Sequence, residues 1–287
     1  MCEGNESMEA KLIMVEGLPG AGKTTVAKRI KKQMEDDGKK VILYGEKSNN
    51  PADMAWQAYL TKEEYHSFVA DCLDVWLKSN QSISDEELIR RIEAQSQLEN
   101  GHVAIAYRSI DFPAPEYQVL ASKLESKEIY RNGLPFDEFR ELHLERWGRF
   151  AHNMQLRKET VIFEANFLQN TIFELMFYRG MSDEQILDYL MELADTVKFL
   201  EPRFLYVMTQ NIESMVDKIA KERALPPDSG RDWYTNFVNW VPATMFGKQH
   251  NLSGRKGLIE VLKERQRMDY LVLRKIGIPI TWVTRQD

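Results

Sequence analysis

The sequence is poor in cysteine and has no long apolar run. Cys2 and Cys72 are the two cysteines in 287 residues, which argues against a disulfide framework and fits a reducing compartment. No uninterrupted apolar stretch approaches the roughly 18 residues that a membrane-spanning helix needs. The opening MCEGNESMEAK has no basic segment followed by an apolar one, so we expect no secretory signal. These absences predict a cytoplasmic protein that makes no membrane contact.

An excess of positive charge is also absent. Asp and Glu number 44 against 38 Lys and Arg, which gives a formal net charge of −6. Because nucleic-acid phosphates bind basic faces, this balance argues against a nucleic-acid partner. The five histidines are scattered and form no cluster at metal-ligand spacing. The chain also lacks the Asn-Lys-x-Asp and Asp-x-x-Gly motifs of a GTPase switch and the Gly-x-Ser-x-Gly motif of a serine hydrolase.

Five short apolar runs have the composition of buried strands, because they are rich in β-branched or aromatic residues and mostly bounded by Gly, Pro or polar clusters. They span residues 11–16, 41–45, 160–163, 204–208 and 279–283. Helical patterns lie between them. This alternation predicts an α/β fold of the P-loop NTPase type, with a five-stranded parallel sheet flanked by helices.

The segment between the second and third predicted strands, residues 47–159, is too long for a simple crossover connection. Thr61 with Glu64 and Ser84 with Glu87 form capping-box patterns that begin helices. A third helix is expected over residues 136–150. We therefore predict a large, mostly helical insertion inside a single domain that spans residues 1–287.

The strongest chemical signal is GLPGAGKT at residues 17–24, a full match to the phosphate-binding pattern G-x-x-x-x-G-K-T. It follows a predicted strand and opens a predicted helix, which is the context of a P-loop. Glycines let backbone N–H groups surround phosphate oxygens, and the helix N-terminus adds partial positive charge. The predicted nucleotide contacts are Gly17, Gly20, Ala21, Gly22, Lys23, Thr24 and Thr25.

The predicted cofactors are ATP and Mg²⁺, and three side chains have specific roles toward them. Lys23 can reach the β- and γ-phosphates, and the Thr24 hydroxyl can ligate magnesium. Glu164 directly follows the third predicted strand, at the sheet edge beside the loop, and is the predicted second magnesium ligand. The alternative for Glu164 is an ordinary solvated residue at a strand end. Glu16 precedes the loop and is expected to brace its turn.

Residues 15–25, VEGLPGAGKTT, resemble the opening of thymidylate kinases and deoxynucleoside kinases within the P-loop kinases. The resemblance implies a helical acceptor-binding region, here the insertion, and a mobile lid. It also implies that Glu46, just after the second strand, is the base for the acceptor hydroxyl. Arg223 and Arg231, which flank a Pro/Gly stretch after the fourth strand, are the implied lid arginines, because guanidinium binds phosphate through two donors. A solvated surface position is the alternative for each of these three residues.

The chain departs from these kinases after the third strand, where they usually carry an Asp-Arg pair. Here residues 164–169 read EANFLQ. The missing arginine argues against a thymidine or deoxynucleoside acceptor, and Asn166 and Gln169 are alternative contacts for a polar acceptor.

Two functions follow from these observations. The first is an ATP-dependent kinase that transfers the γ-phosphate of Mg·ATP to a hydroxyl or phosphate group of a small-molecule acceptor, such as a nucleoside or nucleotide. The second is a nucleotide-binding regulatory protein with little intrinsic turnover, in which the insertion is a partner surface. Acceptor-stimulated ADP formation distinguishes them.

Overall fold

The computed structural model describes residues 10–46, 48, 50–79, 82–113, 115–224 and 232–284. In these residues the strands are β1 (Leu12–Gly17), β2 (Val41–Tyr44), β3 (Ala58–Leu60), β4 (Ser96–Glu99), β5 (His102–Ile105), β6 (Thr160–Glu164), β7 (Arg203–Met208) and β8 (Ile280–Thr284). The α-helices are α1 (Lys23–Asp36), α2 (Lys62–Lys78), α3 (Asp85–Glu93), α4 (Gln118–Leu124), α5 (Phe136–Gln155), α6 (Asp183–Val197), α7 (Ile212–Glu222), α8 (Trp233–Trp240), α9 (Met245–Gln249) and α10 (Gly254–Lys275).

The contacts divide the chain into two compact units. One unit consists of residues 1–52 and 144–287, and the other of residues 53–143. We call them the sheet unit and the insertion unit. The insertion unit lies within the predicted insertion, residues 47–159, and is shorter than it at both ends.

The sheet unit contains five strands in the order β2-β6-β1-β7-β8, and each adjacent pair is parallel. These strands confirm the five predicted from the sequence. Every residue of β1 and β6 is buried, whereas the edge strands β2 and β8 are partly exposed. Strands that helices cover on both faces require apolar residues throughout, which explains the uninterrupted apolar runs. This is the architecture of P-loop nucleotide-binding proteins.

The strand order brings three chain segments together at the end of the sheet where the parallel strands have their C-termini. Strand β1 ends at Gly17, and its neighbour β6 ends at Glu164. Strand β2 lies on the other side of β6. Because the strands are parallel, the residues that follow β1, β6 and β2 share the edge at which α/β proteins bind ligands.

Local signals determine the helix ends of the sheet unit. Ser182 and Gln185 form a capping box at the start of α6, and the Asn211 side chain caps α7. The chain leaves α10 through Gly277, whose φ of 73° is the left-handed conformation that suits a glycine after a helix. Between β6 and α6 the chain forms two π-helical turns, Asn166–Asn170 and Phe173–Tyr178.

A buried ion pair connects α10 to the sheet. Arg265 and Asp269 are both 0% exposed and form an ion pair one helical turn apart. Asp269 also accepts a hydrogen bond from the Tyr206 hydroxyl of β7 at 2.8 Å. Burial lowers the pKa of Arg265 to about 10. A charge at such depth depends on its carboxylate partner, so α10 is fixed against β7 at this point.

The insertion unit contains a sheet that the sequence analysis did not predict. Its three strands are antiparallel, in the order β3-β5-β4, and occur with α2, α3 and α4. Asn100 and Gly101 join β4 to β5 with φ values of 47° and 81°, as in the type I′ turn of a tight hairpin. Strand β4 reads SQLE, which has little of the β-branched and aromatic content that marks strands.

The helix starts predicted for the insertion are confirmed. Thr61 and Glu64 form a complete capping box at the start of α2, and the Ser84 hydroxyl accepts a hydrogen bond from the Glu87 backbone at the start of α3. The third predicted helix is α5. None of the helices in the described residues combines the length and the apolar character needed to cross a membrane.

Candidate phosphate-binding site

The predicted phosphate-binding loop connects β1 to α1. Gly17, Gly20 and Gly22 have φ values of 144°, 87° and 99°, which residues with a side chain rarely adopt. A Cβ on Gly17 would lie 2.6 Å from the carbonyl oxygen of Val207 in β7, so the glycine permits close approach of the two strand ends. Helix α1 begins at Lys23. A glycine loop that ends at a helix N-terminus can hold phosphate oxygens with its backbone N–H groups.

Lys23 is buried at the start of α1, with 4% of its surface exposed. Its ammonium donates to the carbonyl oxygens of Gly17 and Leu18, at 3.2 and 3.1 Å, and to Gln169 Oε1 at 2.9 Å. An ammonium carries three hydrogens to donate, so the protein uses all of them. A phosphate that binds Lys23 must therefore replace at least one of these bonds.

The charge around Lys23 is mainly negative. Burial lowers the pKa of the Lys23 ammonium, whereas the carboxylates of Glu46, Glu16 and Glu164 act in the opposite direction. Glu46 is exposed, and Glu16 and Glu164 are buried. Arg265 is a second cation that acts on Lys23, but two cations beside three acidic groups leave no excess of positive charge for a bare polyphosphate. A divalent cation brought in with the phosphates corrects this imbalance, because its charge is the largest in such a site.

Thr24 and Glu164, the two predicted magnesium ligands, lie in contact, and the Thr24 hydroxyl donates a hydrogen bond to Glu164 Oε1. Magnesium prefers oxygen ligands and usually takes one or two from the protein, with water and substrate phosphate completing its shell. Among the residues that the structure describes, no group of three or more His, Cys, Asp and Glu side chains could hold a metal ion. The pair fits magnesium that is held jointly with phosphate.

Gln169 connects the phosphate loop to the predicted base. Its Oε1 accepts from Lys23, and its Nε2 donates to Glu46 Oε1 at 2.8 Å. Gln169 belongs to the π-helical turn after β6 and is 6% exposed. From its place in the sequence, Gln169 is predicted only as an alternative contact for a polar acceptor. Its position beside Lys23 depends on β6 lying between β1 and β2, which no local pattern reveals.

Glu16 braces the turn after β6, whereas the sequence analysis expected it to brace the phosphate loop. It is 0% exposed and accepts hydrogen bonds from the backbone N–H groups of Leu168 and Gln169, at 2.9 and 3.3 Å. Burial raises the pKa of Glu16, and the Leu168 N–H is the largest of the opposing effects. The carboxylate therefore fixes the backbone from which Gln169 extends.

Helix α7 packs directly against the phosphate loop. A Cβ on Gly20 would lie 1.8 Å from Cδ1 of Ile219. A cavity of about 260 Å³ lies beside this contact and is lined by Gly20, Ala21, Met208, Thr209, Lys218 and other residues of α7. Its volume is close to the lower limit for small-molecule pockets, and it offers both apolar and polar groups.

A profile of one known family matches part of this chain. The family is described as Chromatin associated protein KTI12, and the match covers residues 10–71. This segment includes β1, the phosphate loop, α1 and β2. None of the curated proteins compared with the chain matches it significantly. The profile and the parallel sheet together support a P-loop nucleotide-binding protein, whereas the resemblance to thymidylate kinases is not confirmed.

The remaining predicted residues have different positions. Thr25 is exposed in the first turn of α1. Arg223 lies at the end of α7, where its guanidinium carbon is 5.9 Å from the centroid of the Trp233 ring. Among the described residues, no hydrogen bond or ion pair joins Arg223 to Lys23 or Glu164. Arg231 and the rest of the predicted lid stretch, residues 225–230, lie outside the described residues.

Proposed function

We propose that this chain binds a nucleoside triphosphate with Mg²⁺ and that its nucleotide state regulates binding to another macromolecule. The observation that carries this proposal is the set of bonds made by Lys23. Two of them stay within the loop, but the third reaches Gln169, in a turn after another strand. The bond to Gln169 is one of those that a phosphate at Lys23 can replace, which gives the nucleotide a means of changing the rest of the fold.

The residues of the site fit both parts of Mg·nucleotide. Lys23 and the loop backbone hold the phosphates, and Thr24 with Glu164 holds the magnesium ion, which supplies charge neutralisation at the phosphates. The cavity beside Gly20 suits the nucleobase, because it adjoins the loop and its walls offer both polar and apolar groups.

The proposed partner is a protein. The matched family is described as chromatin associated, so chromatin assemblies are a source of candidates. The net charge of −6 favours a protein component over nucleic acid within such an assembly. The cytoplasmic location inferred from the sequence stays a prediction, which fractionation of cells into cytoplasm and chromatin tests.

Calorimetric titration with Mg·ATP and Mg·ADP tests the nucleotide site. Lys23→Ala is expected to weaken ATP binding at least about tenfold, because hydrogen bonds to charged groups contribute about 1.5–3 kcal/mol. Lys28→Ala is the matched control, since Lys28 is an exposed lysine of the same helix, and it should bind normally. Binding by Lys23→Ala equal to that of the wild type would show that the loop is not the site.

Hydrogen exchange tests the regulatory part of the proposal. Exchange in residues 165–170 and 45–52 should differ between the protein bound to Mg·ADP and the protein bound to a non-hydrolysable triphosphate. The difference is expected because these segments carry Gln169 and Glu46. Equal exchange in the two complexes, with both nucleotides bound, would contradict nucleotide-dependent regulation while leaving the nucleotide site intact.

A small-molecule kinase is the second candidate, and the position of Glu46 favours it. The Glu46 carboxylate is exposed, accepts from Gln169, and is the acidic group that most favours the charged form of Lys23. A carboxylate beside the lysine that holds the phosphates is suitably placed to accept the proton of an attacking hydroxyl. In this case the chain moves the γ-phosphate to a nucleoside, nucleotide or other small alcohol.

ADP formation from Mg·ATP with a panel of nucleosides, nucleotides and sugars separates the candidates. Stimulation by one compound, lost in both Lys23→Ala and Glu46→Gln, would establish the kinase. Glu46→Gln keeps the size of the side chain and removes its basicity, so a fully active variant would exclude Glu46 as the base. Tight ATP binding without stimulation by any compound favours the regulatory function.

A further inference from the structure

The turn that follows β6 has unusual features for a connection. Ala165 has a φ of 61°, a left-handed conformation that is unfavourable for a residue with a Cβ. The next five residues form a π-helical turn, a geometry that is frequent at functional sites. Asn166 Oδ1 is buried and has no hydrogen-bond partner in the described part of the chain. Strain and unsatisfied polar atoms persist where a fold keeps them for function.

Within this turn, Gln169 is held at three points. Its backbone N–H donates to Glu16, its Oε1 accepts from Lys23, and its Nε2 donates to Glu46. The side chain therefore has little freedom, because it bridges Lys23, which follows β1, and Glu46, which follows β2.

A carboxamide is the side chain that these neighbours require. It must accept a hydrogen bond from the Lys23 ammonium and donate one to the Glu46 carboxylate. A glutamate in place of Gln169 could not donate in its ionised form, and an aliphatic residue could do neither.

The amide nitrogen of Gln169 has a second N–H group besides the one that donates to Glu46. A carboxamide nitrogen carries two hydrogens, and the bond to Glu46 uses one of them. A terminal phosphate on Lys23 would bring negative charge close to Glu46. The second hydrogen can bind that phosphate while the first holds Glu46, so that the amide separates the two negative groups.

We infer that Gln169 is a specificity-determining residue that makes the site prefer a triphosphate to a diphosphate, by donating to the terminal phosphate while it holds Glu46. This inference rests on the proposed nucleotide binding. It assigns discrimination of the terminal phosphate to the turn after β6, outside the phosphate loop.

The test is the ratio of two affinities, those for Mg·ADP and for the non-hydrolysable Mg·AMPPNP, measured by calorimetry without turnover. Gln169→Ala should weaken AMPPNP binding about tenfold or more, as expected for loss of a hydrogen bond to a charged group. ADP binding should change less than about threefold, and this shows at the same time that the variant is folded. Gln169→Glu should reduce the preference further, because it adds another carboxylate beside the terminal phosphate.

Gln185→Ala is the matched control. It removes a carboxamide from the same unit, at the capping box of α6, and should leave the ratio unchanged. An unchanged ratio in Gln169→Ala, an equal loss for both nucleotides, or tighter AMPPNP binding would overturn the inference while the nucleotide site stands. A wild-type protein that binds neither nucleotide would overturn the proposed function as well.

Discussion

Substitution of Gly20 by alanine tests the close packing of the phosphate loop against α7. Gly20 has a φ of 87°, and a Cβ there would lie 1.8 Å from Cδ1 and 2.7 Å from Cγ1 of Ile219. Ile219 is buried, and it also lines the cavity that we assign to the nucleobase. Its side chain must shift to make room for the Cβ, or the loop must move, and either change alters the wall of that cavity.

The expected cost of Gly20→Ala has two parts. The left-handed conformation costs a residue with a Cβ about 1–2 kcal/mol. Overpacking against Ile219 adds about 1–3 kcal/mol. Gly38→Ala isolates the first part, because Gly38 has a φ of 79° and a Cβ there would meet no atom within 4 Å. We therefore expect Gly20→Ala to be clearly more destabilising than Gly38→Ala.

Urea unfolding of a double-mutant cycle measures the second part. Ile219→Ala alone should cost about 2–5 kcal/mol, as for other buried aliphatic truncations. In that background the clash is gone, so Gly20→Ala should cost about 1–3 kcal/mol less than it does in the wild type. Mg·ATP affinity should fall in Gly20→Ala and remain unchanged in Gly38→Ala. Additivity of the two substitutions within about 0.5 kcal/mol would refute the close contact between the loop and α7.

Two further predictions concern buried groups. Asp269→Leu leaves the guanidinium of Arg265 buried without the carboxylate of Asp269, and it should lower the free energy of unfolding in urea by about 3–5 kcal/mol. The double variant Arg265→Met with Asp269→Leu should be much less destabilised. A double variant as unstable as the single one would contradict the pairing. Burial, with a smaller effect of Asp71, raises the pKa of the Cys72 thiol to about 12. In a Cys2→Ser variant, Cys72 is the remaining thiol. Iodoacetamide at pH 8 should therefore react with the native variant about a thousandfold more slowly than with the unfolded one, because the thiolate is the reactive form. Equal rates of alkylation would show that the thiol is accessible.

The sheet of the P-loop fold could be predicted because its signals are local. Each of the five strands is a short apolar run. The phosphate loop is a contiguous motif that is expected between a strand and a helix, and the sequence shows both next to it. Parallel pairing followed from the helices between the strands. Glu164 could be proposed as a partner of Thr24 because a P-loop needs an acidic group at the end of a neighbouring strand, and Glu164 directly follows one of the apolar runs.

The hairpin of the insertion unit was missed although one signal for it is present. Asn100-Gly101 is the dipeptide that two-residue hairpin turns favour, but the strands on either side of it have four residues each. Strands this short give too few positions for a period of two to be recognised. The neighbouring capping boxes are stronger local signals, and they predict helices only.

The roles of Gln169 and Glu16 could not be predicted because they depend on the strand order. Gln169 follows β6, Glu46 follows β2 and Lys23 follows β1, and the three meet because β6 lies between the other two strands. Glu16 has its side chain on the face of β1 next to the turn after β6, and it binds that backbone. Convergence of this kind is a property of the assembled sheet.

The phosphate loop thus contacts α7 through Gly20 and the turn after β6 through Lys23. Thermodynamic linkage makes the consequence reciprocal. If the terminal phosphate changes either contact, then a partner that binds α7 or this turn must change nucleotide affinity by the same factor by which the nucleotide changes partner affinity. A partner whose binding shifts tenfold between ADP and triphosphate states would therefore shift the ratio of the two nucleotide affinities tenfold. Since that ratio can be measured with each candidate partner present or absent, it tests the proposed regulation for each candidate separately.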